Sequence, residues 1–283
     1  MFAMLPRFYI DEIILTALKE DINYIDVSAD TVIPADQDGA AVFLAKADGV
    51  LCGIDVAMRV FELLDPTFKA EVFKKDGDKL QKGEIIAKIS GKTALLLKGE
   101  RTALNLLQHM SGIASATAAC VELVKGTKTK ITDTRKTLPG MRALQKYAVT
   151  CGGGYNHRFN LSDGAMLKDN HIDACGGIPN AVKTIRGKLG HMVKVEVETR
   201  NMQEVAQAVE AGADIIMLDN FDYAMTREAV EFIAGRALVE SSGGITHETL
   251  GGYAQCGVDI ISIGALTHSV KALDISMKYR KGE

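Results

Sequence analysis

Short apolar runs rich in β-branched residues recur through the second half of the chain: KITDT (130–134), AMLKDN (165–170), VKVEVE (193–198), DIIMLDN (214–220), ALVESSGG (237–244) and DIISIGAL (259–266). Each is too short for a typical helix and is bounded by Gly, Asn or Asp, so each is predicted as a strand. Between them lie NMQEVAQAVEAGA and DYAMTREAVEFIAG, whose apolar residues return every three or four positions, as on one face of a helix. The last four runs are spaced by about 22 residues, the period of a repeated βα unit. Strands joined by helices pair in parallel, in a doubly wound sheet or a barrel. Six runs are two short of a regular eight-fold barrel. The expectation is an open α/β barrel.

The first ~110 residues follow a different rhythm. A helix at DEIILTALKED leads to the strand-like AAVFLAKADGVLCG, a helix at IDVAMRVFELLD, and the β-rich KAEVFKKDGDKLQKGEIIAKISGKTALLL, whose KDGDKL and KGE read as hairpin turns. This predicts a separate α+β domain over 1–112, followed by the barrel over 113–266. A helical stretch from Lys98 to Lys125 bridges the two, with a break expected at Ser111-Gly112. No low-complexity linker separates them.

Composition narrows the class. The chain has 283 residues, 47 % hydrophobic and 24 % charged, with 36 acidic against 33 basic side chains and a net charge of −3. A general nucleic-acid binder would carry a broad basic excess. The five cysteines (52, 120, 151, 175 and 256) form no C-x-x-C pair and are expected as free thiols in a reducing cytoplasm. The opening MFAMLPRFYIDE has no apolar core of a signal peptide, and no apolar run reaches the ~20 residues needed to span a bilayer. A cytoplasmic protein without membrane attachment is therefore expected.

In this acidic chain the cationic TDTRKTLPGMR (132–142) stands out. Ligands of open α/β sheets and barrels bind at the carboxyl ends of the strands. Those ends carry Asp133-Thr134-Arg135-Lys136, then Lys168-Asp169-Asn170-His171, Glu196 and Glu198, Asp219-Asn220, Ser241-Ser242-Gly243-Gly244, and Gly264-Ala265-Leu266-Thr267-His268. Glycines after strands are commonly plain turn residues, yet loops after the last two strands of a barrel recur as phosphate sites. Backbone N–H groups at Gly243 and Gly244, with the Ser242 hydroxyl, suit a phosphate. Glu196 and Glu198 alternate onto one face, and such carboxylates near phosphate suit Mg²⁺ or sugar hydroxyls. Lys168, next to apolar AML, is expected to reach into the site.

The loop KYAVTCGGGYNHRFNLSDG brings His157 and Arg158 towards Arg135, Lys136 and Lys168. So dense a cationic cluster repels itself unless it meets a multiply anionic ligand, and arginine pairs bidentately with carboxylate or phosphate. His157, His171 and His268 lack zinc-site spacing, and there is no G-x-S-x-G, P-loop or G-x-G-x-x-G.

The ordered segments ERTALNLLQHMSGIAS, TDTRKTLPGMR, KYAVTCGGGYNHRFNLSDGAMLKDNHI, VEVE, MLDN, SSGGI and ISIGALTHS resemble the quinolinate phosphoribosyltransferase family over nearly the whole chain. The resemblance implies an N-terminal α/β sandwich, rejoined by the tail 267–283, plus an open α/β barrel. It implies an NAD-biosynthetic enzyme that joins quinolinate to phosphoribosyl pyrophosphate with Mg²⁺, giving nicotinate mononucleotide, pyrophosphate and CO₂. By the family pattern Arg135, His157, Arg158 and Lys168 would surround quinolinate, joined by Arg101 from the partner of a homodimer, and such dimers sometimes group as hexamers. Lys136, beside Thr134, would face pyrophosphate. Glu198 and Asp219 would meet the ribose hydroxyls and, directly or indirectly, Mg²⁺. Ser242, Gly243, Gly244, Gly264, Ala265 and His268 would hold phosphate. The alternatives are a phosphoribosyltransferase of the same fold with another acceptor, or a non-catalytic binder of phosphorylated metabolites. The latter would need neither Glu198 nor Asp219, and Arg142 reads as structural.

Overall fold

The computed structural model describes residues 5–280. It divides into two compact units, the first gathering the chain up to Ala118, the segment Thr137–Gly153 and the chain from Leu266 onward. The second holds Ala119–Lys136 and Gly154–Ala265. The segment Thr137–Gly153 thus groups with the first unit, although it falls inside the barrel range expected from the sequence.

In the first unit, helices α1 (Arg7–Ile22) and α2 (Ala29–Val32) precede strand β1 (Asp38–Ala45). Then come β2 (Gly49–Val50), α3 (Ile54–Leu64), β3 (Lys69–Val72), β4 (Lys79–Leu80), β5 (Ile85–Lys92) and α4 (Thr93–Leu123), whose residues from Ala119 onward belong to the second unit. β1 pairs antiparallel with β5, and β5 with β3. The sheet buries Phe43, Ile86 and Ile89, and Phe43 meets Phe61 of α3 edge-on at 6.1 Å between ring centres. Phe61 in turn stacks on Phe68 at 5.3 Å. The burial of these large side chains is the main stabilising term of a layer of this kind.

Helix α4 runs through Ser111-Gly112 without the expected break. The small residues serve packing instead. Ser111 Oγ accepts from Cys52 N–H at 3.0 Å and donates to Cys52 O at 3.1 Å. A Cβ at Gly112 would collide with the backbone oxygen of Lys271. Burial on this scale outweighs the ~1 kcal/mol helix cost of a single glycine.

The second unit is a six-stranded parallel sheet. Strand β6 (Lys130–Thr132) comes first, and the chain then passes through α5 (Arg142–Cys151), which belongs to the first unit. It continues as β7 (Ala165–Leu167), α6 (Asp169–Ala174), α7 (Ile178–Arg186), β8 (Val195–Thr199), α8 (Met202–Glu210) and β9 (Ile215–Asp219). Helix α9 (Tyr223–Ile233), β10 (Leu238–Ser242), α10 (His247–Gln255) and β11 (Ile260–Ser262) complete it. The order is β6-β11-β10-β9-β8-β7, with all neighbours parallel. Each of the six predicted strands forms where expected. Val195, Val197, Ile216, Leu218, Val239 and Ile261 are buried on one face, as residues beneath covering helices should be. α8 and α9 begin on side-chain N-caps: Asn201 accepts from Glu204 N–H, and Asp222 from Met225 N–H. The other face carries Thr132, Glu196, Glu198, Asp219, Glu240, Ser242 and Ser262 among Met166, Ile215, Met217 and Ile260, and so brings polar groups inside. Six parallel strands wound around that interior form an open α/β barrel.

The chain returns to the first unit through α11 (Ala265–His268) and β12 (Ile275–Arg280), and β12 pairs antiparallel with β1. The sheet order is therefore β12-β1-β5-β3. Also in this unit, buried Gln145 of α5 accepts from Leu138 N–H and donates to Thr267 O.

Candidate active site

The carboxyl ends of the barrel strands gather the charged residues singled out above. Two rim loops are tied together at the first strand. Tyr155 extends the sheet beside β6, donating its N–H to Ile131 O at 2.8 Å while Asp133 N–H donates to Tyr155 O. The fully buried Asp133 carboxylate then accepts from His157 N–H at 2.9 Å and from Asn156 Nδ2 at 2.6 Å. Asp133 therefore fixes the backbone that presents His157 and Arg158. On the loop after β6, Lys136 N–H donates to Thr134 Oγ1 at 3.0 Å in a local turn, with Arg135 half-buried and Lys136 exposed. Arg142, at the start of α5 in the first unit, donates from Nε to Thr137 Oγ1.

Arg158 donates from Nη1 to Gly164 O at 2.9 Å. Its pKa is lowered, first by burial and then by the positive charge of Arg135, against the opposing pull of Glu196. Two guanidinium groups thus lie close enough to repel each other, the arrangement expected of a pocket for an anion.

Lys168 follows β7 as the N-cap of α6. His171 reaches back one turn, its Nδ1 accepting from Lys168 N–H at 3.0 Å, so the KDNH spacing is a capping arrangement that sets the lysine backbone. The Lys168 ammonium pairs with Glu198 Oε2 at 3.1 Å. At the end of β9, Asp219 accepts from Asn220 Nδ2 at 2.9 Å, and Asn220 itself takes a left-handed φ of 57°. Gly243, also at positive φ (91°), lies against the Asn220 amide so closely that any Cβ would collide with it. Ser242 Oγ accepts from Ser262 Oγ at 3.0 Å, joining the ends of β10 and β11. Gly264 is half-buried and Ala265 exposed on the loop after β11.

Lys136, Lys168, Glu198, Asp219, Ser242 and the two glycines thus belong to one rim of the second unit, with Arg135, His157 and Arg158. Arg101, exposed on α4, and His268, whose Nδ1 bonds Ser269 Oγ at 2.7 Å, belong to the first unit.

Below the rim the barrel holds a cluster that charge counting along the loops does not reveal. His157 Nε2 is 3.1 Å from Glu196 Oε2 and 3.6 Å from Glu240 Oε2, both carboxylates being almost fully buried. Burial, first, and the neighbouring Glu196 charge push the Glu240 carboxyl up to about 7. Glu196, expected as a companion of Glu198 towards metal or sugar, instead faces His157. Glu240 has a signal in the sequence: strand alternation in LVESS places it on the face of Ser242, one layer below.

Comparison with known proteins gives a consistent result. The family model described as "Quinolinate phosphoribosyl transferase, N-terminal domain" matches residues 26–111, and the corresponding C-terminal domain model matches 113–278. The "Probable nicotinate-nucleotide pyrophosphorylase [carboxylating]" of Bacillus subtilis is 47 % identical over 258 residues, covering 91 % of this chain and 89 % of that protein. The crystal structure of NadC from Streptococcus pyogenes superposes with a TM-score of 0.96 at 43 % identity, covering 100 % of both chains. The nicotinate-nucleotide pyrophosphorylase of Francisella tularensis gives 0.92 at 38 % identity, covering 98 % of both.

Proposed function

The chain belongs to the quinolinate phosphoribosyl transferase family, and on that premise we propose that the rim of its barrel is where the family reaction takes place. The enzyme is a pentosyltransferase of NAD biosynthesis, a nicotinate-nucleotide pyrophosphorylase (carboxylating). It transfers the phosphoribosyl group of phosphoribosyl pyrophosphate to quinolinate, releasing pyrophosphate and CO₂ and leaving nicotinate mononucleotide. The observation that carries the location is the gathering of Arg135, Arg158 and Lys168 with the Glu198 and Asp219 carboxylates on one rim of the barrel, cations suited to a dianion beside anions suited to the ribose.

In this reading Arg135, His157, Arg158 and Lys168 line the quinolinate pocket. Bidentate arginine pairing suits its two carboxylates and orients the ring nitrogen towards the ribose C1′. As the C1′–O bond to pyrophosphate breaks, positive charge grows on the ribose. Glu198 and Asp219 stabilise it from the carboxylate side, while Lys136 stabilises the leaving group. Ser242, Gly243 and Gly244, with Gly264 and Ala265, hold phosphate through N–H and hydroxyl donors. After the new N–C1′ bond forms, the C2–carboxyl bond breaks. Its electron pair stays on C2 beside the quaternised nitrogen and takes up a proton from water, so the protein's task there is positioning.

Glu198 and Asp219 supply hard carboxylate oxygens at the rim, and each engages one of its oxygens with Lys168 or Asn220. That set suits Mg²⁺, which binds through one or two carboxylates plus substrate phosphates. When bound, Mg²⁺ would neutralise charge on pyrophosphate. The working unit in this proposal is a homodimer in which Arg101 reaches the partner's quinolinate pocket, and a cytoplasmic setting agrees with the five free thiols. Among the described residues no helix is long and apolar enough to cross a membrane.

The decisive assay follows pyrophosphate release from phosphoribosyl pyrophosphate with quinolinate or nicotinate as acceptor. Release coupled to nicotinate mononucleotide and CO₂ with quinolinate alone is expected. Release only with nicotinate, or with neither, rejects the assignment.

A further inference from the structure

Imidazole tautomers are set by what each ring nitrogen faces. His157 Nδ1 accepts from the backbone N–H of Arg158 at 2.9 Å, so Nδ1 carries no proton. Nε2 lies 3.1 Å from Glu196 Oε2 and 3.6 Å from Glu240 Oε2, so Nε2 is the protonated nitrogen and donates inward. Both ring nitrogens are therefore committed within the barrel. Glu196 and Glu240 reach the ring from β8 and β10, which flank β9 in the sheet. The remaining carboxylate oxygens, Glu196 Oε1 and Glu240 Oε1, are buried without a hydrogen-bond partner, as is Thr132 Oγ1. All three residues line a cavity of about 380 Å³ that continues to Lys194, Ile215 and Ile260 at the amino ends of the strands. A cavity of this size and polarity has room for water to satisfy those oxygens. Two buried anions around one neutral ring would be costly, and a proton retained on Glu240 removes that cost.

We propose that Glu196 and Glu240 are positioning residues for the acceptor substrate. They lock His157 as the uncharged Nε2–H tautomer, turn its Nδ1 towards the Arg158 main chain, and so aim the Arg158 side chain. The consequence for specificity is that the two carboxylates of the acceptor draw their counter-charge from the guanidinium groups and Lys168, and the His157 imidazole contributes shape without charge. This rests on the reading that His157 and Arg158 border the acceptor pocket.

Two experiments test it. Nitrogen-15 NMR of histidine-labelled wild-type protein without substrates should show His157 with Nε2 protonated and Nδ1 unprotonated at neutral pH. An Nδ1–H tautomer or an imidazolium overturns the proposal, whatever the acceptor proves to be. Steady-state kinetics then read the positioning itself. Glu196→Leu should raise the quinolinate KM by about tenfold, the worth of a charge-assisted hydrogen bond, and Glu240→Leu, which removes a protonated carboxyl 3.6 Å from the ring, by about threefold, with phosphoribosyl pyrophosphate KM and kcat changed less than about twofold. Glu240→Gln, which keeps the shape of a protonated carboxyl, should recover most of the loss seen in Glu240→Leu. An unchanged quinolinate KM in folded leucine variants, or equal losses in all three parameters, overturns the positioning role. Failure of wild-type protein to use quinolinate would instead refute the acceptor reading, while the tautomer experiment would still stand.

Discussion

Lys168 Nζ lies 3.1 Å from Glu198 Oε2, so neighbouring strands β7 and β8 bring a rim cation and a rim carboxylate into one ion pair. The lysine side chain is 45 % exposed against 14 % for the glutamate, and a pair so open to water contributes little stability. Its value is in chemistry. In the proposed reaction, substrate draws Lys168 to an incoming carboxylate and leaves Glu198 to face the developing positive charge on ribose. Glu198→Gln should therefore lower kcat by about 10²-fold, in the range of a lost transition-state electrostatic contact, with a much smaller effect on quinolinate KM. Steady-state kinetics with both substrates varied decide this, and undiminished turnover would defeat it.

Asp133 offers a test of the rim's rigidity. Replacing it by Ala strips the His157 N–H and the Asn156 amide of their acceptor. Asn156 is exposed and can turn to water, so the cost comes from the half-buried His157 N–H and lies at the low end of the penalty for a buried donor, about 1 kcal/mol. For a chain of this size each kcal/mol lowers Tm by roughly 2–4 °C. Calorimetry should record that loss, together with a raised quinolinate KM that Asp133→Asn partly restores.

Glu240 sets a pH dependence of stability. Its folded pKa, about 7, lies above the ordinary carboxyl value of 4.5, so the folded protein holds a proton that the unfolded chain gives up. Stability from this group is accordingly complete below about pH 4.5 and is lost as pH rises towards 7. In Glu240→Gln that decline should be absent. Thermal midpoints across pH 5 to 8 should converge with wild type at the acid end and separate at the alkaline end, with the variant higher. Parallel curves would refute the assignment.

Gly243 combines a φ of 91° with direct contact against the Asn220 amide. Gly243→Ala must strain the backbone, by about 1–3 kcal/mol, and displace Asn220. If this loop holds phosphate, the KM for phosphoribosyl pyrophosphate should rise several-fold more than that for quinolinate. The reverse ordering would move the phosphate elsewhere.

Subunit mixing checks the shared site. Arg101→Ala and Lys168→Met should each be nearly inactive alone. In a two-fold dimer, random exchange of the two inactive subunits should restore about a quarter of the wild-type sites, because half the dimers are mixed and each has one intact site. No recovery after proven exchange would place Arg101 outside the partner's pocket.

Much of this is legible in the amino-acid sequence, for identifiable reasons. Six strands could be read because each is a short apolar run closed by Asp, Asn or Gly, and the polar residues on the ends of β6 to β11 followed from the βα repeat. Packing decided what could not be read. Ser111-Gly112 looks like a helix break in a one-dimensional pattern, but the Cys52 backbone and the Lys271 carbonyl make small residues necessary there. His157 counts with the cations when charges are tallied along NHR, whereas its direction depends on Asp133, Glu196 and Glu240, residues far apart in sequence. Glu240 sits in a run whose glycines draw attention to its far end.

The pairing of β1 with β12 also has a temporal meaning. β1 is among the first strands to be synthesised, and its edge partner follows only after the entire barrel. Until then one side of β1 presents unpaired N–H and C=O groups, the kind of template on which chains join to one another. Strands β8, β9, β10 and β11 each pair with the strand made just before them, whereas β1 must wait for β12 and β6 for β11. During synthesis the nascent chain is therefore most vulnerable at its beginning, and a chaperone that shields Asp38–Ala45 would protect it for that interval.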